Sequence, residues 1–162
     1  MLFLAIVIIL CDQISSSIIK EIVGRLRPSH EPELEGIVRL LNGHKSGKFS
    51  FTSSHATNSF GLAMFSALLY KNWRYTVFIF IWAAINSYSR IYLGLHYPAD
   101  ILGGLILGIT IAFLIFWIYK KVIFNHVKDF KYVINFENEV YIPFAGGVFS
   151  IIIILLSART FI

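Results

Sequence analysis

From Ala99 to Tyr119 the chain reads Ala99-Asp-Ile-Leu-Gly-Gly-Leu-Ile-Leu-Gly-Ile-Thr-Ile-Ala-Phe-Leu-Ile-Phe-Trp-Ile-Tyr119, with one charged residue, Asp100, at its head. About 20 consecutive, mostly apolar residues are what an α-helix needs to cross the hydrocarbon core of a bilayer. Comparable runs predict spans from Leu2 to about Val23, from about Thr52 to Tyr70, from Trp73 to about Ser89, and from Tyr141 to about Ala158. The span that begins at Trp73 is short and carries Asn86, Ser87 and Ser89 near its end. A tilted or buried helix suits it as well as a lipid-facing one.

The expected fold is therefore all-α: an integral membrane helical bundle of about five transmembrane helices. A composition 57% hydrophobic, with mean hydropathy +0.72, supports it. Residues 1–162 are read as a single membrane-embedded domain, and the composition speaks against nucleic acid as a partner. The net charge of +5 fits either an acidic ligand or the usual cationic flanks of membrane spans, so position has to decide. Cys11, the single cysteine, lies inside an apolar run and reads as a packing residue. No basic leader precedes the first run and no small-x-small cleavage site follows it, so it is expected to be retained. A start inside an apolar segment is also what a chain with earlier spans missing looks like.

Two connectors separate the spans. Between the first and second, Glu31 to Asn42 places Leu34, Ile37, Val38 and Leu41 at helical spacing, which predicts a short interfacial helix. An ordinary amphipathic connector without a role in binding is the alternative. Lys120 to Val140 is a mixed-charge linker, and neither an internal repeat nor a low-complexity tract is present.

If the first four spans alternate across the bilayer, the end of the first, the start of the second, the end of the third and the start of the fourth share one side. The polar residues of interest sit at those four places. Lys20 and Arg27 follow the first span, His55 opens the second, Arg90 closes the third, and His96 with Asp100 opens the fourth. Lys71, Arg74, Lys120, Lys121, Lys128 and Lys131 fall on the other side. The bias of positive charge toward the cytoplasm then puts the shared site on the exoplasmic face, although Arg25, Arg39, Lys45 and Lys48 count against it.

Lys20 and Arg27 are two helical turns apart and face the same way to within a drift of ~20° if the helix persists. Pro28 disfavours helix at Arg27, so the arginine is expected to leave the helix as the chain turns. Taken singly, both also read as snorkelling flank cations. Thr52-Ser53-Ser54-His55 supplies hydroxyl residues before an apolar run, the pattern of a helix N-cap whose free backbone N–H groups attract anions. His55 alone reads more readily as a packing histidine. Pro98 suits the first position of a helix, which puts His96 just before it and Asp100 in its first turn. Asp100 is then expected to reach back to one imidazole nitrogen of His96 and raise the basicity of the other. Arg90, six residues before His96, can bring a guanidinium fork to a phosphate bound at this end. Gly103, Gly104 and Gly108 form a small-residue pattern for close helix packing, and Asp12 should point into the bundle. His30, His44 and His126 lie in connectors without an identified partner.

Lys20-x6-Arg27-Pro28, Ser53-Ser54-His55 and Ser89-Arg90-x5-His96-x3-Asp100 together resemble the three-part signature of the type 2 phosphatidic acid phosphatase family. That family includes bacterial undecaprenyl diphosphate phosphatases and lipid A phosphatases. The resemblance covers roughly Asp12 to Gly108, the expected catalytic part. The middle stretch departs from the usual Pro-Ser-Gly-His, with Thr52 in place of the proline and Ser54 in place of the glycine. Family members commonly place two spans before the one bearing the first motif, so a missing N-terminal portion is expected.

The resemblance implies that His96 attacks phosphorus to form a phosphohistidine, that Asp100 orients it, and that His55 protonates the leaving oxygen. It implies that Lys20, Arg27, Arg90, Ser53 and Ser54 hold the phosphoryl oxygens. The expected activity is hydrolysis of the terminal phosphate of a membrane lipid phosphate or diphosphate, in the bacterial cytoplasmic membrane with the site facing the periplasm. Undecaprenyl diphosphate, lipid A phosphate and phosphatidylglycerol phosphate all qualify. No cluster of carboxylates, Cys or His has metal-ligand spacing, so no metal or other cofactor is expected. The expected partners are the phosphorylated lipid and the bilayer, and no protein partner is inferred. A non-catalytic lipid-phosphate binder or lipid-flipping protein is the alternative from another class. A vanadium haloperoxidase shares the signature, but those enzymes are soluble and the apolar spans speak against it.

Overall fold

The structure is a computed structural model that describes residues 2–38 and 47–126, with side chains as far as residue 122. The expected span from Tyr141 to about Ala158, part of the Glu31 to Asn42 segment, and His44 lie outside the described residues.

Four helices alternate in direction. Helix α1 runs Leu2–Val23, with a π-helical turn at Ile14–Ile19. Ser15 and Ser16 donate their hydroxyls back to the Asp12 carbonyl at the start of that turn. Such back-bonding competes with the regular ladder, and π turns recur at functional sites. Gly24 ends α1 in the left-handed conformation, φ +61°, and its N–H donates to the Lys20 carbonyl at 3.0 Å.

Arg27 is extended, φ −72° and ψ 154°, as Pro28 requires. Beyond it come two 3-10 turns, Pro28–His30 and Pro32–Leu34. The Glu31 to Asn42 segment is therefore not α-helical over its described part. Pro32 holds Glu31 extended, and Gly36 at φ +82° breaks the ladder that the apolar spacing suggested. His30 has a neighbour after all, Ser29 Oγ at 3.1 Å from its Nδ1. The loop closes through an antiparallel bridge between Leu26 and Phe49, with Ser50 N–H donating to the Arg25 carbonyl at 2.8 Å.

Helix α2, Ser54–Tyr70, is capped by Ser53, whose hydroxyl oxygen accepts from the Ala56 N–H. Helix α3, Trp73–Tyr92, is capped by Asn72, whose Oδ1 accepts from the N–H groups of Arg74 and Tyr75. It runs past the expected end at Ser89, so Arg90 belongs to its last turn. Helix α4, Pro98–His126, begins at the proline as expected and extends beyond Tyr119.

Helix α2 is the hub. α1, α3 and α4 all pack on it, and among the described residues α1 and α3 have little or no contact with each other. α2 and α4 meet backbone to backbone. A Cβ on Gly108 would stand 2.3 Å from the Thr57 carbonyl oxygen, and one on Gly104 would stand 2.8 Å from the Ser53 carbonyl oxygen. This is the packing role that the glycine pattern predicts. Cys11 is fully buried among Val7, Phe65, Ile111, Ala112 and Ile115, as a packing residue should be. The outer surface exposes Ile9, Ile18, Ile22, Ile81, Ile85, Leu102, Ile106 and Leu114, a face suited to lipid. Two helices, Leu2–Val23 and Pro98–Val122, are long and apolar enough to cross a membrane unaided. Among the described residues the fold is helical without strands.

Candidate active site

Alternation of the helices brings the three polar stretches to one end of the bundle. The Lys20 side chain, at the end of α1, donates from Nζ to Ser54 Oγ at 2.9 Å, at the start of α2. The Ser53 N–H donates to the Asp100 carbonyl at 3.1 Å, joining the starts of α2 and α4. His55, exposed in the first turn of α2, lies within the electrostatic reach of Arg90, His96, Lys20 and Arg27. Each site residue expected from the sequence is thus found at this end.

The departures in the middle stretch are accommodated locally. Ser54 is already helical, so its position needs no glycine-like backbone, and its hydroxyl receives Lys20. Thr52 is buried and its side-chain oxygen has no hydrogen-bond partner. Ser53 uses its oxygen as the cap and keeps its O–H for another acceptor.

The third stretch is built by a turn. Gly94, at φ +67°, reverses the chain after α3, and the Leu95 N–H returns to the Arg90 carbonyl at 3.0 Å. Arg90 Nε donates to Ser89 Oγ at 3.2 Å. Asp100 then reaches back over the start of α4, and its Oδ2 accepts the Tyr97 N–H at 2.8 Å, one half of a capping box. His96 is 4% exposed and Asp100 0%. His96 Nδ1 stands 3.4 Å from Asp100 Oδ2, close enough for an ion pair with a protonated ring but out of line for a hydrogen bond. Catalytic hydrogen bonds are commonly long until the substrate is bound. With Nδ1 toward the carboxylate, Nε2 is the nitrogen left for chemistry. Burial, helped by the charges of Arg27 and Lys20, pushes the His96 imidazole below the ordinary histidine value, against the pull of Asp100.

Arg27 is buried and its Nε donates to the Phe49 carbonyl at 3.0 Å, which fixes the guanidinium beside the site. Sequence reasoning missed Arg25. Its Nη1 lies 3.3 Å from Asp100 Oδ1, and its guanidinium covers the Tyr97 ring at 4.1 Å. Both oxygens of Asp100 are therefore engaged, by Arg25 on one side and by the Tyr97 N–H on the other. The pairing spans 75 residues, and the only signal for it in the sequence was a cation two residues before Arg27. Among the described residues, no group of three or more His, Cys, Asp or Glu is placed to hold a metal ion. The arrangement gathers cations around one imidazole backed by a carboxylate, with a second imidazole within electrostatic reach. That is suited to holding and attacking a phosphoryl group.

Comparison with known proteins agrees. The chain is 44% identical over 119 residues to a lipid A 4'-phosphatase of Bacteroides thetaiotaomicron, covering 73% of this chain and 53% of the relative. It is 38% identical over 112 residues to a lipid A 4'-phosphatase of Porphyromonas gingivalis, covering 69% and 48%. It is 40% identical over 67 residues to the undecaprenyl-diphosphatase BcrC of Bacillus subtilis, covering 41% and 34%. The chain spans about half the length of the first two relatives. No solved structure matches it significantly. The PAP2 superfamily model matches residues 1–124, a stretch that contains all three polar segments, and the chain belongs to that superfamily.

Proposed function

We propose that this membrane protein hydrolyses the terminal phosphate of an amphiphilic lipid phosphate or diphosphate. The observation that carries the reading is the convergence of Lys20, Arg27 and Arg90 on two histidines, one of them backed by a buried carboxylate. The relatives named lipid A 4'-phosphatase, undecaprenyl-diphosphatase and phosphatidylglycerophosphatase support the substrate class.

In this mechanism Lys20, Arg27, Arg90, the Ser53 and Ser54 hydroxyls and the free N–H groups at the start of α2 hold the phosphoryl oxygens. His96 Nε2 attacks phosphorus. The bond to the leaving oxygen breaks, and His55 gives that oxygen its proton. The negative charge of the bound phosphate favours the protonated form of His55 needed for this step. Asp100 holds the His96 ring and stabilises the positive charge it gains. Water then attacks the phosphohistidine, its proton passes to His55, and free phosphate leaves with both histidines restored. The acid–base residue and the nucleophile come from separate helices, so helix packing sets their separation.

The site faces the periplasm from the bacterial cytoplasmic membrane, and the lipid tail stays in the bilayer. The four described helices all span, with the Tyr141 to Ala158 segment as a fifth. Residues 1–162 act as one domain whose catalytic part is about 12–108. Purified protein in detergent micelles, given a panel of lipid A phosphate, undecaprenyl diphosphate and phosphatidylglycerol phosphate, should release phosphate from at least one. Vanadate, a mimic of pentavalent phosphorus, should inhibit. Binding of all three without release would leave a lipid-phosphate binder and remove the hydrolase.

A further inference from the structure

The Asp100 carboxylate is fully buried, and its two oxygens have different tasks. Oδ2 accepts the Tyr97 N–H at 2.8 Å and faces His96 Nδ1 at 3.4 Å, so it is the oxygen that serves the imidazole. Oδ1 is paired with Arg25 Nη1 at 3.3 Å. A carboxylate tied through one oxygen can still rotate about that contact. The second tie stops it, and it also compensates a charge that burial would otherwise leave costly.

Arg25 is itself held. Its carbonyl accepts the Ser50 N–H at 2.8 Å and the Ser50 hydroxyl at 3.3 Å, and Ser50 is fully buried. The bridge between Leu26 and Phe49 closes the loop at the next residue. The guanidinium rests over the Tyr97 ring at 4.1 Å, a cation–π contact, so Tyr97 gives its N–H to Asp100 and its ring to Arg25. Arg27 is placed differently. It is buried, and among the described contacts it engages the protein through Nε, at the Phe49 carbonyl, which leaves the outer nitrogens of its fork for a phosphate. The Arg25 fork is already committed to Asp100 and Tyr97.

We infer that Arg25 is a positioning residue: it acts through Asp100 to keep the His96 ring in line with phosphorus, and it does not bind the phosphate. The inference rests on the hydrolase reading and on the role of His96 in it. The two arginines after α1 then divide the work, Arg27 gripping the substrate and Arg25 aligning the nucleophile. The connector between α1 and α2 takes part, because its closure at Ser50 fixes where Arg25 stands. A nucleophile slightly out of line loses rate while the ground-state grip on phosphate stays.

Two inhibitors separate these roles. Inorganic phosphate reports the grip on the phosphoryl oxygens, whereas vanadate, which takes a fifth bond from the nucleophile, reports the alignment of His96 as well. With the lipid that the wild-type protein hydrolyses fastest, Arg25→Ala should lower kcat about 10-fold and raise the vanadate Ki by a similar factor, with the phosphate Ki unchanged to within about 2-fold. Arg27→Ala should raise both Ki values about 10-fold or more. Arg25→Lys, which keeps the charge and loses the planar fork, should fall between wild type and Arg25→Ala. Tyr97→Leu keeps the backbone N–H and removes the ring, and should raise the vanadate Ki alone, by about 3-fold. It carries the test if Arg25→Ala does not fold. A parallel rise of both Ki values in Arg25→Ala makes Arg25 a phosphate ligand and overturns the inference. An unchanged vanadate Ki in Arg25→Ala, or in Tyr97→Leu where that variant stands in, overturns it whatever the rate. Both results leave the hydrolase intact. Release of phosphate from none of the three lipids by the wild-type protein overturns the hydrolase reading and this inference with it.

Discussion

His96 and His55 share a side chain but not an environment. His96 is 4% exposed, sits on a turn pinned by Gly94 and by the capped start of α4, and leans on a carboxylate that Arg25 and the Tyr97 N–H hold in place. His55 is exposed at the mouth of a cavity, with cations on several sides and no hydrogen bond fixing its ring among the described contacts. A nucleophile gains from being held at a fixed distance from phosphorus. A proton donor has to meet a leaving oxygen whose place depends on the substrate. The contrast assigns position to one ring and adaptability to the other.

The strongest way to break the contrast is His96→Ala, which should lower phosphate release by on the order of 10⁴ or more, with the protein still eluting as the wild type. Near-normal turnover would take the nucleophile away from His96. His55→Ala should cost about 10² to 10⁴ on a lipid monoester and much less on p-nitrophenyl phosphate, whose leaving group needs little protonation. Equal losses on both substrates would deny His55 the role of acid. Arg25→Ala should lower kcat/KM about 10-fold by freeing Asp100, and Arg25→Lys should recover part of it.

Profiles of rate against pH sharpen the same point. In the proposed mechanism the neutral ring of His96 is the attacking form, and burial holds its proton affinity down, so activity should persist below pH ~6.5 before the acid limb falls. Removing the Arg25 cation should move that limb upward, because a nearby positive charge disfavours imidazolium. A limb unmoved by Arg25→Ala would separate Arg25 from the His96–Asp100 pair. The smallest expected effect belongs to Gly108→Ala, which forces α2 and α4 apart at Thr57. It should destabilise by about 1–3 kcal/mol in thermal unfolding, with a modest loss of rate.

The helices and the shared end of the bundle were legible because local chemistry encodes them. Apolar length marks the helices, Pro28 and Pro98 fix where helix stops and starts, and Ser53 supplies the cap. Motifs at alternate helix ends must meet once the helices are antiparallel. What escaped reading depends on three-dimensional contact. Arg25 looks like a connector cation until the fold carries it to Asp100. The π turn leaves no clear mark in Ile14–Ile19 beyond three serines, and it changes which residues share a face with Lys20. The apolar spacing after Glu31 misled because Pro32 and Gly36 outweigh periodicity in a segment with little packing to enforce a helix.

One backbone hydrogen bond, from the Ser53 N–H to the Asp100 carbonyl, has a consequence for traffic through the membrane. Together with the glycine contact between α2 and α4, it joins the start of α2, where His55 sits, to the start of α4, just beyond His96. On the proposed function, exchange of a lipid with the surrounding leaflet would use the flank between α1 and α3, where the cavity beside His55 lies.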